Sequence, residues 1–143
     1  MTDMTTPTDL VPSPAGGGTA AEGDCFTVAA HLMCFWDAPL PDGTLCHAVI
    51  VGSGPLEGML HWHAWVEVRR RVVANGFRVT RTFAIDLSNG KQVVVDAGVY
   101  RRAAQAQGVM EYTREEAREW MRTTEHYGPW EDDPDGRDAE VAP

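Results

Sequence analysis

The sequence predicts an α+β domain in which one helix precedes a run of antiparallel strands and further helices follow. Three observations carry that expectation. The segment CFTVAAHLMCF, from Cys25 to about Phe35, is apolar on nearly every side, as a helix buried in a core is. Two long strand-like runs, Met59–Ala74 and Phe77–Leu87, flank an Asn75-Gly76 pair. That pair is the strongest short-range hairpin signal, because both central residues of a type I′ turn need positive φ. The segment Thr113–Tyr127 opens with the capping box Thr113-x-x-Glu116 and stops before Gly128-Pro129, which marks a helix.

The remaining elements follow in order. Residues 1–22 are rich in Thr, Pro, Gly and Ala without periodicity and read as a disordered arm. Asp24 is placed to cap the first helix. Two prolines in Ala38–Gly43 end that helix. Leu45–Val51 reads as a strand, Gly52–Gly58 as a loop, Ser88–Gly90 as a turn, Gln92–Val95 as a short strand and Ala97–Gln107 as a helix. Residues 131–143 form an acidic, turn-rich tail, also read as disordered. With no internal repeat, the folded unit is residues 23–130.

Charge and composition narrow the classes. The chain has 143 residues and a formal charge of −9. The excess acid sits in the two ends, since residues 25–130 hold 11 acidic and 11 basic groups. No general nucleic-acid binder is expected, because phosphate neutralisation needs clustered Lys and Arg. No apolar run reaches the roughly 18–20 residues of a membrane span. Residues 1–18 lack the basic and apolar regions of a secretory signal. Three cysteines, Cys25, Cys34 and Cys46, are an odd number, so free thiols in a reducing cytoplasm are expected rather than a disulfide framework.

Three residues form a candidate reactive constellation. Cys25 would be the first residue of its helix, where unpaired N–H groups and the helix dipole favour a thiolate, opposed by the adjacent Asp24. The same position also suits a small apolar filler. In His61-Trp62-His63-Ala64-Trp65-Val66-Glu67-Val68, strand alternation sets His61, His63, Trp65 and Glu67 on one face and the apolar Trp62, Ala64, Val66 and Val68 on the core face. His63 is then either a base in a partly dry cleft or an ordinary surface histidine. The two-residue turn pairs Ala74 with Phe77, so Trp65 faces Asp86 and His63 faces Ser88. His63 and Asp86 become diagonal neighbours on one face, within reach of each other. Asp86 there accepts Nδ1–H of His63, leaving the other nitrogen for a thiol. Its alternative role is to brace the Ser88–Gly90 turn.

A Cys opening a buried helix, His63-Ala64-Trp65-Val66-Glu67 on a strand, and Ala84-Ile85-Asp86-Leu87 on the next together resemble the transglutaminase-like branch of the papain-like cysteine enzymes, over about residues 23–90. The whole stretch, with Thr113–Trp130, also resembles small uncharacterised proteins of bacteriophage and prophage genomes, which implies the bacterial host cytoplasm. The resemblance implies a papain/transglutaminase-like fold with Cys25 as nucleophile, His63 as base and Asp86 as orienting group. It further implies acyl transfer or hydrolysis of a peptide or protein amide through a thioester, with no cofactor. Trp65, His61 and His47 are the residues expected to contact substrate. Papain-type enzymes carry an oxyanion-hole Gln six residues before the Cys. Here Thr19 stands at that position, and the backbone N–H of Cys25 offers one donor.

Two other readings stay open. His61, His63 and His47, with Cys25 or Cys46, are residue types that hold zinc, although no Cys-x-x-Cys pair or His-Glu-x-x-His helix accompanies them. The domain could instead be a non-catalytic interaction module. Arg69-Arg70-Arg71, with Arg78 and Arg81 across the hairpin, form a basic patch suited to an acidic partner or to the acidic tail, and equally to plain solvation. Trp120, Tyr127 and Trp130 are expected to pack the last helix rather than to hold a ligand.

Overall fold

Asn75 and Gly76 both take positive φ, 52° and 81°, and close the hairpin on which the fold is built. In the computed structural model, which describes residues 3–4, 25–52, 57–90 and 92–130, strands β3 (Leu60–Ala74) and β4 (Phe77–Asp86) pair antiparallel from Ala74↔Phe77 to Val66↔Ile85. This is the register that a two-residue turn dictates. Strand β2 (Thr44–Val51) takes the other side of β3, from Thr44↔Glu67 to Val51↔Leu60. Strand β5 (Val93–Asp96) borders β4, and β6 (Gln107–Tyr112) borders β2, giving the antiparallel order β5-β4-β3-β2-β6. Where β3 runs beyond β2, the two-residue strand β1 (Asp3–Met4) lies parallel to Arg71 and Val72.

Helices cover both faces of this sheet. On one face, Ala29, Ala30 and Met33 of α1 (Cys25–Met33) and Ala117 of α3 (Arg114–Thr124) bury Leu45, Ala64, Val66, Val68, Phe83 and Ile85. On the other, Ala97, Tyr100 and Ala104 of α2 (Ala97–Ala104) pack on Cys46, Ala48, Ile50, Trp65 and Ala84. The second face was expected to be the non-core side, a partly dry cleft or plain surface. It is closed because Cys46, Ala48 and Ala84 are small, which leaves room for the Trp65 ring and for a helix above it.

Most predicted elements form, with edges displaced. α1 ends two residues early, at Met33. α2 stops at Ala104, where Gln105 turns left-handed (φ 53°) and its N–H reaches the carbonyls of Arg101 and Arg102. The expected helix to Gln107 gives way to β6, which the sequence reading leaves unassigned and which pairs with the free edge of β2. α3 opens on the expected capping box, with Glu116 N–H on Thr113 Oγ1 at 3.1 Å and Thr113 N–H on Glu116 Oε1 at 2.9 Å. Of the N-terminal arm only β1 is described. Asp24, Thr19 and the acidic tail lie outside the described residues. Among the described residues no helix is long and apolar enough to cross a membrane. The arginine patch is partly neutralised: Arg70 donates to both carboxylate oxygens of Asp42, at 2.7 and 3.2 Å.

Candidate active site

Strand alternation decides which side chains can meet. On β3 the odd-numbered residues His61, His63, Trp65 and Glu67 point toward α2, and on β4 Ala84 and Asp86 share that side. His63 and Asp86 are thereby diagonal neighbours at the end of the β3–β4 ladder, and His63 Nε2 lies 2.8 Å from Asp86 Oδ2. Both are buried, His63 to 4% exposure and Asp86 to 2%. Cys25, half-buried at the start of α1, brings its thiol within hydrogen-bonding reach of the same imidazole. Asp86 therefore takes Nε2, where the sequence reading expects it to take Nδ1.

Asp86 is held from several directions. Its Oδ1 accepts the backbone N–H of Ser88 at 3.0 Å and the Ser88 hydroxyl at 2.6 Å. Its Oδ2 accepts Tyr100 O–H at 2.8 Å besides the histidine. The two roles weighed for Asp86 are thus both filled, one by each oxygen: Oδ1 braces the turn and Oδ2 holds the imidazole. Burial alone raises the carboxyl pKa, but the hydrogen bonds and charge of His63, with those of Ser88 and Tyr100, outweigh it and hold the group below the usual carboxylate range.

His63 responds in the opposite sense. Burial lowers its pKa, yet hydrogen bonds to Asp86 and Cys25, and the charges on both, carry it up to about 9. That shift favours the imidazolium at neutral pH, with Nε2–H donating to Asp86 Oδ2. Tyr100, desolvated and set against the Asp86 charge, is pushed upward and stays a neutral donor.

Behind the histidine stands a second polar chain. The Trp65 ring lies nearly parallel to His63, with centroids 6.3 Å apart, and its Nε1–H donates to Glu67 Oε2 at 2.9 Å. Glu67 in turn accepts Nε and Nη2 of Arg101 from α2, each at 2.8 Å, and Arg101 also reaches Glu111 on β6. Consecutive residues of α2, Tyr100 and Arg101, thus satisfy the two buried carboxylates of this face.

Of the three residues expected to contact substrate, only His61 sits at the half-exposed end of the strand, 6.0 Å from His63 between ring centroids. Trp65 is fully buried and backs the site rather than lining it. His47 belongs to the other face of the sheet, since it pairs with Ala64 while Ala48 pairs with His63. There it is buried among Phe26, Tyr112 and Trp130 with neither ring nitrogen hydrogen-bonded. The zinc set is split by the same geometry: His47 leaves the face that His61 and His63 share, and among the described residues no three His, Cys, Asp or Glu side chains converge as a metal needs.

Sequence reasoning places Asp86 against the Ser88 turn but misses Tyr100 and the Glu67–Arg101 pair. Ser88 carries a readable signal, since Asp-x-Ser is an Asx-turn pattern. Tyr100 and Arg101 carry none, because only the fold brings α2 over the sheet. No protein-family model, curated protein or solved structure matches this chain.

Proposed function

We propose that this domain is a cysteine enzyme of papain/transglutaminase-like type that transfers or hydrolyses acyl groups of peptide or protein amides. The observation that carries the reading is the buried His63 imidazole, which meets Asp86 Oδ2 through Nε2 at 2.8 Å and has the Cys25 thiol within hydrogen-bonding reach. The arrangement joins a half-buried sulfur at a helix N-terminus, an imidazole held protonated, and a carboxylate fixed by its own donors.

The chemistry that follows is balanced by one proton moving on His63. Cys25 Sγ, as thiolate, attacks the amide carbon, forming a C–S bond while the carbonyl electron pair moves to oxygen. Collapse breaks the C–N bond, and the leaving nitrogen takes the proton of His63 Nδ1. In the thioester, neutral His63 accepts a proton from an entering water as its oxygen attacks the same carbon. Collapse then breaks the C–S bond and restores thiolate and imidazolium, releasing the acid. An entering amine in place of water gives a new amide by the same steps.

Alkylation tests the nucleophile without knowledge of the substrate. Iodoacetamide at pH 7 is expected to modify Cys25 well ahead of Cys34 and Cys46, whose thiols burial pushes up, Cys34 to about 11. His63→Ala should slow the Cys25 reaction at least tenfold. A Cys25 that reacts no faster in the wild type than in His63→Ala would overturn the proposal. Mass spectrometry with amide and ester substrates should reveal a thioester on Cys25, absent in Cys25→Ala.

A further inference from the structure

Asp86 Oδ2 receives two donors, His63 Nε2–H and Tyr100 O–H, each at 2.8 Å. A carboxylate oxygen with two donors divides its charge between them, so a stronger bond to one weakens the other. Ser88 does not enter this competition, because both its donors lie on Oδ1. Tyr100 is the member of the set that arrives from another layer of the fold, on α2, and its ring is fixed by packing against Trp65 with centroids 5.0 Å apart. The phenol is therefore placed by the core of that face and does not depend on the histidine for its position.

We propose that Tyr100 is a positioning residue of this site: by holding Asp86 Oδ2 in place and taking part of its charge, it limits how tightly the carboxylate grips the imidazole. The direction follows from elementary electrostatics. When His63 is neutral, Asp86 is a buried charge without its cation, and the Tyr100 hydrogen bond is at its strongest. When His63 is protonated, the carboxylate charge is already compensated and the phenol bond weakens. Tyr100 thus favours the neutral imidazole over the imidazolium. For the reaction proposed above, this keeps the proton of His63 transferable to a leaving nitrogen; an imidazolium locked to an unshared carboxylate is a poorer acid. The other titratable groups facing His63 are Cys25 from α1 and His61 along its own strand, while β2 presents Ala48 opposite it.

The test is the titration of His63 followed by nitrogen-15 NMR of its ring, which needs no substrate. In the wild type the midpoint is expected near 9. Tyr100→Phe, which removes one oxygen and keeps the ring, should raise it by about 0.3 pH unit or more. A smaller rise, no change or a fall overturns the proposal. Ser88→Ala serves as the comparison, with a smaller shift expected because its hydroxyl lies on the other oxygen. Should Tyr100→Phe fail to fold, full replacement of the three tyrosines by 3-fluorotyrosine supplies a stronger donor in the native shape. The midpoint must then fall, and a midpoint that stays or rises overturns the proposal. Iodoacetamide rates on the same samples separate this inference from the enzyme reading. Unselective alkylation of wild-type Cys25 removes the enzyme, whereas selective alkylation with an unmoved His63 midpoint removes only the role of Tyr100.

Discussion

His47 and His63 stand on adjacent strands, one residue out of step, and leave opposite faces of the same sheet. The two faces treat them in opposite ways. His63 finds a carboxylate and a thiol and is held protonated up to about 9. His47 finds three aromatic rings and no hydrogen-bond partner, and burial pushes it down to about 3. One step of strand alternation thus separates an imidazole paired with a carboxylate from one that serves as packing.

That contrast sets the acid stability of the domain. Between its folded pKa of about 3 and the unfolded value near 6.5, His47 is neutral in the native state and protonated in the unfolded one. Stability falls as pH drops through that window, by up to about 1.4 kcal/mol per unit. His47→Leu, similar in volume and without polar atoms, should remove this slope. Urea denaturation is expected to give nearly equal stability for the two proteins at pH 7 and an advantage of about 2.5 kcal/mol for the variant at pH 4.5. Parallel acid profiles would contradict the placement of His47.

The alkaline side belongs to His63, through the charge that Asp86 holds against it. A group whose folded pKa is raised stabilises fully below the unfolded value near 6.5, and that stability is lost as pH climbs toward about 9. Asp86→Asn keeps an acceptor but deletes the charge. The His63 NMR midpoint should fall by at least about one unit, and the decline in stability from pH 6.5 to 9 should flatten. Iodoacetamide should then show slower modification of Cys25 at neutral pH. A midpoint that stays near that of the wild type would show that Asp86 does not control the imidazole.

Much of this arrangement is legible in the chain because it rests on local rules. Asn75-Gly76 sets the hairpin register, and the register makes His63 and Asp86 diagonal neighbours without any tertiary knowledge. Thr113 and Glu116 announce the last helix in the same local way. What stays hidden depends on non-local packing. β6 forms because β2 has a free edge, and α2 covers the Trp65 face because small residues on β2 and β4 make room for it. Alternation also misled at Trp65, because period two assigns residues to faces but does not say that both faces are buried; the face of His47 follows from the β2–β3 register, which no local signal sets. Which nitrogen of His63 meets Asp86 depends on the ring's reach across the ladder, which spacing does not encode.

The capping box of α3 offers a separate test of local design. Thr113 satisfies the Glu116 N–H and Glu116 satisfies the Thr113 N–H, at the end of α3 that follows β6 directly. Thr113→Ala should cost about 1 kcal/mol in urea denaturation, and Thr113→Ser should recover most of it. Equal losses in both variants would place the contribution of Thr113 in its methyl group and not in its hydroxyl.

Glu67 and Arg101 form the most exacting pair on the α2 face. Glu67 is only 7% exposed, and its oxygens are taken up by Arg101 and by Trp65 Nε1. Removing the cation leaves a buried carboxylate with a single neutral donor, so Arg101→Met should destabilise by about 2–3 kcal/mol, the partial exposure of Arg101 having reduced the value expected for a fully buried pair. Glu67→Gln in the same background removes the stranded charge and keeps an acceptor for Trp65. The double variant should therefore be more stable than Arg101→Met alone. Because Trp65 backs His63, Arg101→Met should also broaden or shift the His63 ring signals while leaving those of His47 unchanged. Strict additivity of the two substitutions, with His63 undisturbed, would mean that the Trp65–Glu67–Arg101 chain neither stores this energy nor supports the site.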